Sequence, residues 1–360
     1  MSTEGANGGG HKGRGAIGRN RSRFETRPVE LLAAEADAAG RVAPVTRLTA
    51  MRARRIVSRN TSPDVPFSRS INPYQGCEHG CVYCYARPSH GYLDLSPGLD
   101  FETRIFYKPN AVERLIEEWQ RPGYVCEPIT IGANTDPYQP AERRLGLTRR
   151  LLAAFLEHRH PVSLITKGSL MHRDLDLLAE LARDNLCSVA VSIPTLDNAL
   201  KRTLEPRVPS AASRLALLES LAGAGVPCGV LVAPVIPAVN DRELERIVEL
   251  AAAHGARHAA WILLRLPHEV RQIFADWLAV HLPERAVHVM SLLRQAHGGR
   301  EYDSRFGVRQ RGRGAYAAML GQRFRAACRR HGLATEARGE PLATGLFRPP
   351  GPRQMTLDVG

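Results

Sequence analysis

The stretch that decides the fold and the chemistry of this chain is Asn72-Pro-Tyr-Gln-Gly-Cys-Glu-His-Gly-Cys-Val-Tyr-Cys-Tyr-Ala-Arg87. It places Cys77, Cys81 and Cys84 in the spacing C-x3-C-x2-C, with glycines at positions 76 and 80. Three thiols this close along a chain can converge on one metal centre without help from distant parts of the fold. Structural zinc sites and plain iron–sulfur sites take four protein ligands, whereas this local set has three. A centre with three protein ligands keeps one open position, and an open position on a metal is a place for chemistry.

With Tyr83 directly before the third cysteine, the motif resembles the cluster loop of the radical S-adenosylmethionine superfamily. The longer run from Ser68 to Arg87 is similar to the branch that contains spore photoproduct lyase. The resemblance implies one 4Fe–4S cluster held by the three cysteines, with S-adenosylmethionine (SAM) bound at the fourth iron. It also implies that an electron from the cluster cleaves SAM to a 5′-deoxyadenosyl radical, which takes hydrogen from a substrate. The alternative is a zinc knuckle with His79 or a distant cysteine as fourth ligand.

Length and composition limit the class of protein. A chain of 360 residues can form one large α/β domain with tails, or two domains. No apolar run reaches the roughly 18 residues that a membrane span needs, and the N-terminus has no apolar signal segment. Seven cysteines, an odd number with three clustered, argue against a disulfide framework. We therefore expect a monomeric cytoplasmic protein with no membrane contact.

The positive charge lies at the two ends of the chain. Residues 1–60 carry 12 Lys and Arg against 5 Asp and Glu, and residues 294–353 carry 13 against 4. Residues 61–293 carry 24 against 26 and are close to neutral. Basic ends can follow a phosphate backbone, so they favour contact with nucleic acid. The alternative is that these arginines only keep the protein soluble or reflect the base composition of the genome.

Short apolar runs alternate with amphipathic helical patterns along the middle of the chain. This alternation predicts a parallel sheet with helices on the outside. The periodicity alone also allows a doubly wound sheet, but a site loop directly after the first strand favours a partial (β/α)6 barrel of the TIM type. The predicted strands are Ser68–Asn72, Pro128–Ala133, Val162–Thr166, Ser188–Ile193, Gly229–Ile236 and Ala259–Leu266.

We divide the chain into three segments. Residues 1–60 are predicted to be a basic and largely disordered arm, with one helical candidate at Val29–Ala39. Residues 61–283 form the predicted barrel. Residues 284–360 form a basic C-terminal extension, which we expect to close the open side of the barrel or to cover its mouth.

Within the extension, Ala286–Gln295 fits either a strand or a helix. Ala315–Arg330 is predicted to be a basic helix, and the proline-rich tail Phe347–Gly360 is predicted to be extended.

Polar residues after the second predicted strand are candidates for the cofactor site, because sites in such barrels lie at the C-terminal ends of the strands. In the superfamily this place often holds Gly-Gly-Glu, which binds the methionyl amine. Here Asn134, Thr135 and Asp136 stand in its place. An Asx-turn or a helix cap is the alternative for these three residues.

The resemblance implies further SAM ligands on the next strands. Lys167 matches a lysine of spore photoproduct lyase that meets the methionyl carboxylate, with a surface lysine as the alternative. Ser192 matches the position that binds the ribose, with Thr195 and Asp197 as weaker candidates. Tyr83 is expected to support the adenine from the cluster loop, opposite the fifth strand.

The other candidate residues are less specific. Arg265, at the end of the sixth strand, could bind an anionic group or form a plain salt bridge. Cys126, Cys187 and Cys228 precede or begin strands, so we interpret them as small core residues. Cys328 falls in the basic C-terminal helix, where the sequence does not place it.

The function expected from these observations is radical SAM chemistry on an unidentified substrate. Nucleic acid is the preferred substrate class, and the resemblance implies a lyase acting in DNA repair, with flavodoxin or ferredoxin as electron donor. However, the hydrogen-donor cysteine of spore photoproduct lyase matches Ala133-Asn134-Thr135 here. The alternatives are the same chemistry on a peptide or metabolite, or a metal-stabilised nucleic-acid-binding protein without catalysis.

Overall fold

The computed structural model of the protein describes residues 11, 13–18, 20–24, 45–335 and 341–351. The strands of this part of the chain form two sheets. They are β1 (Arg47–Ala50), β2 (Val57–Arg59), β3 (Arg69–Ile71), β4 (Tyr74–Gln75), β5 (Arg104–Tyr107), β6 (Ile129–Ile131), β7 (Val162–Thr166), β8 (Cys187–Ser192), β9 (Cys228–Val235) and β10 (His258–Leu263).

The larger sheet has seven strands in the order β10-β9-β8-β7-β6-β3-β2. Six of them, from β3 to β10, are parallel and follow one another in chain order, while β2 pairs antiparallel with β3 at one edge. A doubly wound sheet reverses its strand order at a switch point, and this sheet does not. The fold is therefore a mixed α/β fold with a mostly parallel sheet of the partial-barrel kind. The six parallel strands are those predicted, with their ends shifted by three residues at most.

Helices connect the parallel strands and cover the outside of the sheet. As the amphipathic patterns predict, these helices have apolar residues that pack into the core, and Phe155, Leu178, Ile247 and Phe274 are all fully buried. The α-helices are α1 (Leu99–Thr103), α2 (Ala111–Trp119), α3 (Glu142–Leu145), α4 (Leu147–Glu157), α5 (Leu175–Arg183), α6 (Asn198–Leu204), α7 (Ala211–Gly223), α8 (Leu244–Ala253), α9 (Val270–His281), α10 (Pro283–Ala296) and α11 (Gly314–Arg330). Short 3-10 helices lie at Arg87–Leu93, Ser169–Asp174 and Asp241–Glu243.

A small second sheet supports the cysteine loop. Its order is β1-β5-β4, with β5 parallel to β1 and antiparallel to β4. Strand β4 ends two residues before Cys77, and Tyr74 in that strand pairs with Tyr107 of β5. The start of the cysteine loop is therefore held by backbone hydrogen bonds.

Within residues 1–60, the parts that the structure describes have defined positions. Strand β1 belongs to the small sheet and β2 to the large one. Arg14, Gly15 and Ala16 are buried against the cysteine loop. The helical candidate Val29–Ala39 lies outside the described residues. The division of the chain at residues 60 and 283 remains a prediction.

The C-terminal extension bridges the open side of the sheet. The N–H of Leu263 in β10 donates to the carbonyl oxygen of Gln310 at 2.8 Å. On the far side, Arg309 Nε lies 2.5 Å from Asp64 Oδ2, and the N–H of Gly307 donates to Asp64 Oδ1 at 2.6 Å. Because Asp64 follows β2, the segment reaches from one edge of the sheet to the other.

The ambiguous part of the extension, Ala286–Gln295, lies in helix α10, and the predicted basic helix is confirmed as α11. Residues 347–351 form neither helix nor strand, and the rest of the tail lies outside the described residues. No helix in the described ranges is long and apolar enough to cross a membrane.

The cysteines outside the loop mostly lie in the core. Cys187 and Cys228 are buried at the starts of β8 and β9, as predicted, and Cys328 is buried in α11. Cys126 is only half-buried, in the loop before β6.

Candidate active site

The three clustered cysteines line one cavity of about 710 Å³ at the C-terminal ends of the parallel strands. Cys77 and Cys81 are buried, and Cys84 is half-buried. The same cavity is lined from the strand ends by Asn134, Asp136, Lys167, Ser192 and Arg265. The structure therefore brings together most of the residues that the sequence predicted for the site.

Two glycines let the cysteine loop turn tightly. Gly76 and Gly80 have φ values of +86° and +69°, in the left-handed region that glycine adopts without strain. A Cβ atom at Gly80 would lie 2.8 Å from the carboxylate of Glu102, so the space is also closed. Hydrogen bonds from the N–H of Cys77 to the Phe101 carbonyl oxygen and from the Gln139 amide to the Gly76 carbonyl oxygen hold the turn.

A buried ion pair clamps the other end of the loop. Arg87 and Glu102 are both fully buried, with 2.5 Å between Arg87 Nη2 and Glu102 Oε1. Arg87 also donates to the carbonyl oxygen of Cys81 at 2.9 Å. The same carboxylate accepts the N–H groups of Gly15 and Ala16, at 3.0 and 2.9 Å. The described N-terminal residues therefore cover the outside of the loop.

The donor chemistry at the cavity fits an iron–sulfur cluster. Burial raises the pKa of the Cys84 thiol and, with the charge of Glu205, that of Cys81. The free thiols of Cys81 and Cys84 are therefore neutral, and a metal must displace their protons to bind.

His79 lies beside Asp136 at the edge of the cysteine loop. Its Nδ1 is 3.3 Å from Asp136 Oδ2. Burial alone would lower the pKa of His79, but the Asp136 carboxylate and Cys77 raise it to about 10. The imidazole is therefore attracted to the carboxylate of Asp136.

The carboxylate of Asp136 ties three strand-end loops together. Oδ1 accepts hydrogen bonds from the N–H of Tyr138 at 2.8 Å and from the Thr166 hydroxyl at 2.7 Å. Oδ2 accepts the N–H of Lys167 at 2.7 Å. The bond from Tyr138 is the Asx-turn that the sequence offered as an alternative, and the bonds from Thr166 and Lys167 extend the network to the end of strand β7. Asp136 thereby positions Lys167.

The two neighbours of Asp136 differ in where they face. The Thr135 hydroxyl is buried and donates to the carbonyl oxygen of Tyr74 at 2.8 Å, and its side chain is not part of the cavity lining. Its predicted role as a cofactor ligand is therefore not supported, because the hydroxyl already has a structural partner. Asn134 lines the cavity, and its backbone N–H donates to Asn72 Oδ1 at 2.8 Å.

Lys167 and Ser192 meet at the centre of the cavity wall. Lys167 Nζ donates to Ser192 Oγ at 3.1 Å, and Ser192 Oγ donates to the carbonyl oxygen of Ala233 at 3.1 Å. The weaker candidates of the same loop have other partners. Thr195 donates to Glu243, and the Asp197 side chain caps helix α6.

Sequence reasoning missed Glu205 and Arg214. Glu205 is fully buried, accepts the Tyr83 hydroxyl, and lies 3.9 Å from both Cys81 Sγ and Lys167 Nζ. Arg214 Nη2 is 3.1 Å from the second oxygen of Glu205, close enough for charge attraction although the two are not aligned as a hydrogen bond. Burial alone would raise the pKa of Glu205, but the charges of Arg214 and Lys167 lower it. Glu205 therefore holds a tyrosine, an arginine and a lysine around the cavity.

The mouth of the cavity is lined by aromatic rings and guanidinium groups. The Arg265 guanidinium carbon lies 5.0 Å from the ring centre of Tyr85, and its Nε is buried without a hydrogen-bond partner among the described residues. Among the described residues, no carboxylate forms a salt bridge with Arg265. Beside it, Arg309 lies over the exposed ring of Phe306.

Comparisons with known proteins identify the family and relatives of this chain. A family model described as the Radical SAM superfamily matches residues 71–251. An uncharacterized protein of Mycobacterium tuberculosis is 40% identical over 233 residues, which cover 64% of this chain and 68% of that protein. An uncharacterized protein of Methanocaldococcus jannaschii is 28% identical over 173 residues, which cover 48% of this chain and 62% of that protein.

A solved structure has a similar fold. It is a spore photoproduct lyase variant with bound AdoMet and dinucleoside spore photoproduct, with a TM-score of 0.59 and 16% identity. The match covers 80% of this chain and 81% of that chain. At this level of identity the similarity concerns the fold alone.

Proposed function

This chain belongs to the radical SAM superfamily, and from that premise we propose that Cys77, Cys81 and Cys84 hold one 4Fe–4S cluster beside a SAM site in the cavity. When bound, the cluster supplies one electron that cleaves SAM to a 5′-deoxyadenosyl radical, which abstracts hydrogen from the substrate. The observation that carries the proposal is that three thiols and a lysine ammonium line the same cavity at the C-terminal ends of the strands.

Different residues around the cavity would bind different parts of the SAM molecule. Lys167 presents its ammonium to the methionyl carboxylate, and Asp136 positions it through its backbone N–H. Asn134 faces the methionyl amine, and Ser192 faces the ribose. Tyr83 supports the adenine, held in place by the buried carboxylate of Glu205.

The walls of the cavity protect the reaction. The apolar side chains of Leu231, Ala233 and Pro234 form one wall, and the segment that contains Phe306 and Gln310 closes the side away from the helices. Apolar walls around the reacting atoms limit the access of water and other hydrogen donors to a carbon radical. The fold thus supplies orientation and exclusion, and the cofactors supply the hard chemistry.

Nucleic acid is the substrate class that we propose. The Arg265 guanidinium at the mouth has no ion-pair partner among the described residues, so it is available to a phosphate group. The similar fold of spore photoproduct lyase, whose structure holds a dinucleoside spore photoproduct, supports the same class. Thymine-dimer repair is not part of the proposal, because Cys77, Cys81 and Cys84 are the only cysteines among the described residues that line the cavity. A peptide or a metabolite is the second candidate.

We propose a monomer that receives its electron from flavodoxin or ferredoxin. The first test is anaerobic reconstitution, which should give a brown protein with about four irons per chain. With reductant and SAM it should release 5′-deoxyadenosine. Cys81→Ala should lose both properties, whereas the matched variant Cys126→Ala, half-buried and outside the cavity, should keep both.

Two results would contradict the cluster assignment. One is a colourless protein with one zinc per chain, and the other is a Cys81→Ala variant that still binds iron and releases 5′-deoxyadenosine. The substrate class is tested separately, by deuterium transfer from labelled oligonucleotides, peptides and metabolites into 5′-deoxyadenosine. Transfer from a peptide or metabolite and not from an oligonucleotide would favour the second candidate.

A further inference from the structure

A second cavity, of about 490 Å³, lies on the outer side of strand β10, where the strand meets helix α11. We call it the arginine cleft, because Arg311, Arg313 and Arg325 line it together with Trp261. It is separate from the cysteine cavity. Neighbouring residues of one strand divide between the two, since Trp261 lines the arginine cleft and Ile262 lines the cysteine cavity.

Two of the arginines hold their positive charges close together. The guanidinium carbon of Arg311 lies 5.0 Å from the ring centre of Trp261, and Nη1 donates to the Trp261 carbonyl oxygen at 2.6 Å. The side chain of Arg311 as a whole is exposed, but partial desolvation of its guanidinium group in the cleft lowers the pKa of Arg311, and the charge of Arg325 lowers it further. Arg325 reaches this position over Gly321, where an added Cβ atom would lie 3.2 Å from Arg325 Nη1.

No carboxylate among the described residues forms an ion pair with Arg311, Arg313 or Arg325. The charge of Asp303 reaches Arg313, but its carboxylate is already bound by Arg305 at 2.5 Å. The cleft therefore carries an excess of positive charge.

Arginines next to the cleft are paired, which shows that acidic partners are common in this region. Arg323, on the same helix as Arg325, binds Glu245 at 2.6 Å. Arg309, two residues before Arg311, binds Asp64 at 2.5 Å. The three arginines of the cleft differ from these two neighbours in having no carboxylate partner among the described residues.

We propose that the arginine cleft binds phosphate groups of a nucleic-acid backbone. Guanidinium groups bind phosphate through paired hydrogen bonds, and grouped guanidinium groups without carboxylates attract anions. The cleft is open, because Arg311, Arg313 and Arg325 are all exposed, and an open groove suits a chain of phosphates more than a small enclosed anion. The sequence of residues 294–353, with 13 Lys and Arg against 4 Asp and Glu, adds a net positive charge that attracts a phosphate backbone.

The site is distinct from the proposed SAM cavity, so its test does not depend on radical chemistry. The full-length reconstituted protein is titrated into a fluorescein-labelled 12-nucleotide single strand, and anisotropy is measured at several salt concentrations without SAM or reductant. Arg311→Gln/Arg325→Gln should weaken binding at least tenfold. It should also reduce the steepness of log K against log salt by about 1 to 2, as expected for two lost phosphate contacts.

A matched control is available on the same helix. Arg329 and Arg330 are exposed and do not line the cleft, so Arg329→Gln/Arg330→Gln removes the same charge from another place. This variant should stay within threefold of the parent protein. Arg325→Gln alone, which removes an exposed side chain with no hydrogen bond to a described residue, should weaken binding at least threefold and does not endanger folding.

Three results would overturn the proposal. The first is an equal loss of binding in the cleft variant and the control, which indicates only diffuse attraction. The second is unchanged binding in Arg325→Gln. The third is inorganic pyrophosphate that binds the parent protein as tightly as the oligonucleotide does, which would make the cleft a site for free phosphate compounds. A protein that fails at radical chemistry and still shows the expected losses retains the cleft and refutes only the proposed function.

Discussion

Replacing Glu102 by glutamine tests whether a buried ion pair holds the cysteine loop in place. The Glu102 carboxylate and the Arg87 guanidinium are 2.5 Å apart, and both residues are fully buried. Glutamine has nearly the same size and no charge. The substitution therefore leaves the guanidinium of Arg87 buried without a counter-ion, next to the carbonyl oxygen of Cys81 that it holds.

The expected loss of stability follows from these contacts. Removing one partner of a buried ion pair destabilises a protein by about 3–5 kcal/mol. The carboxylate oxygens also accept the N–H groups of Gly15 and Ala16, and a glutamine amide has one oxygen for the two, which adds about 1 kcal/mol. A total of about 4–6 kcal/mol, divided by a urea m-value of about 3 kcal/mol per M, lowers the midpoint by about 1.3–2 M.

The assay is urea denaturation followed by circular dichroism, with iron content measured on the same samples. Glu249→Gln is the matched control, because Glu249 binds Arg246 at 2.6 Å with both side chains largely exposed. Water screens an exposed pair, so the control midpoint should barely move. Glu102→Gln should also retain less iron than the control. Equal midpoints in the two variants, with unchanged m-values, would refute the reasoning that burial makes the Arg87–Glu102 pair strong.

Three further perturbations are predicted. Gly15→Ala places a Cβ atom 1.8 Å from the Gly80 carbonyl oxygen, so the segment that covers the cysteine loop must move away, and the absorbance of the cluster should bleach several-fold faster in air. In the control Gly18→Ala the added Cβ atom has no neighbour within 4 Å, so this variant should bleach like the parent protein. Equal rates in the two variants would contradict the covering role of the segment. Burial lowers the pKa of His160 to about 4 from 6.5, so the neutral ring contributes stability above pH 6.5 that is lost as the pH falls toward 4, by up to about 3 kcal/mol. His160→Asn should make the urea midpoint depend less on pH between those two values. An unchanged pH dependence of the midpoint would exclude His160 as its cause. Lys167→Met removes the ammonium group that faces the cavity. The loss of a charge-assisted hydrogen bond, worth about 1.5–3 kcal/mol, should raise the Kd for SAM about tenfold to a hundredfold, as measured by calorimetry. An unchanged Kd would show that Lys167 is not part of the SAM site.

The order of the parallel strands could be predicted from the sequence, because each strand and helix is marked by its own local pattern of apolar residues. The six predicted runs became β3 and β6 to β10 with small shifts of their ends. The short strands β1, β2, β4 and β5 were not predicted. Each forms because a partner strand lies beside it, and such pairing between separate segments leaves no mark in the local sequence.

The N-terminal arm also shows that local sequence does not reveal contacts with distant parts of the chain. Its composition, rich in glycine and arginine, predicts disorder. Arg14, Gly15 and Ala16 are nevertheless buried, because the Glu102 carboxylate accepts two of their N–H groups and the Glu102 carbonyl oxygen accepts Arg14. A composition average over a segment cannot show a few residues that find a distant partner.

The sequence by itself determined that Cys77, Cys81 and Cys84 form one group, because they lie within eight consecutive residues, which keeps their thiols close wherever the loop lies. Only the tertiary structure decided what surrounds them. Tyr83 meets Glu205 across 122 residues, and Arg87 meets Glu102 by folding back over a turn. These pairings form when the loops and helices pack around the sheet and water is excluded, and a pairing across such distances leaves no pattern in the local order of residues.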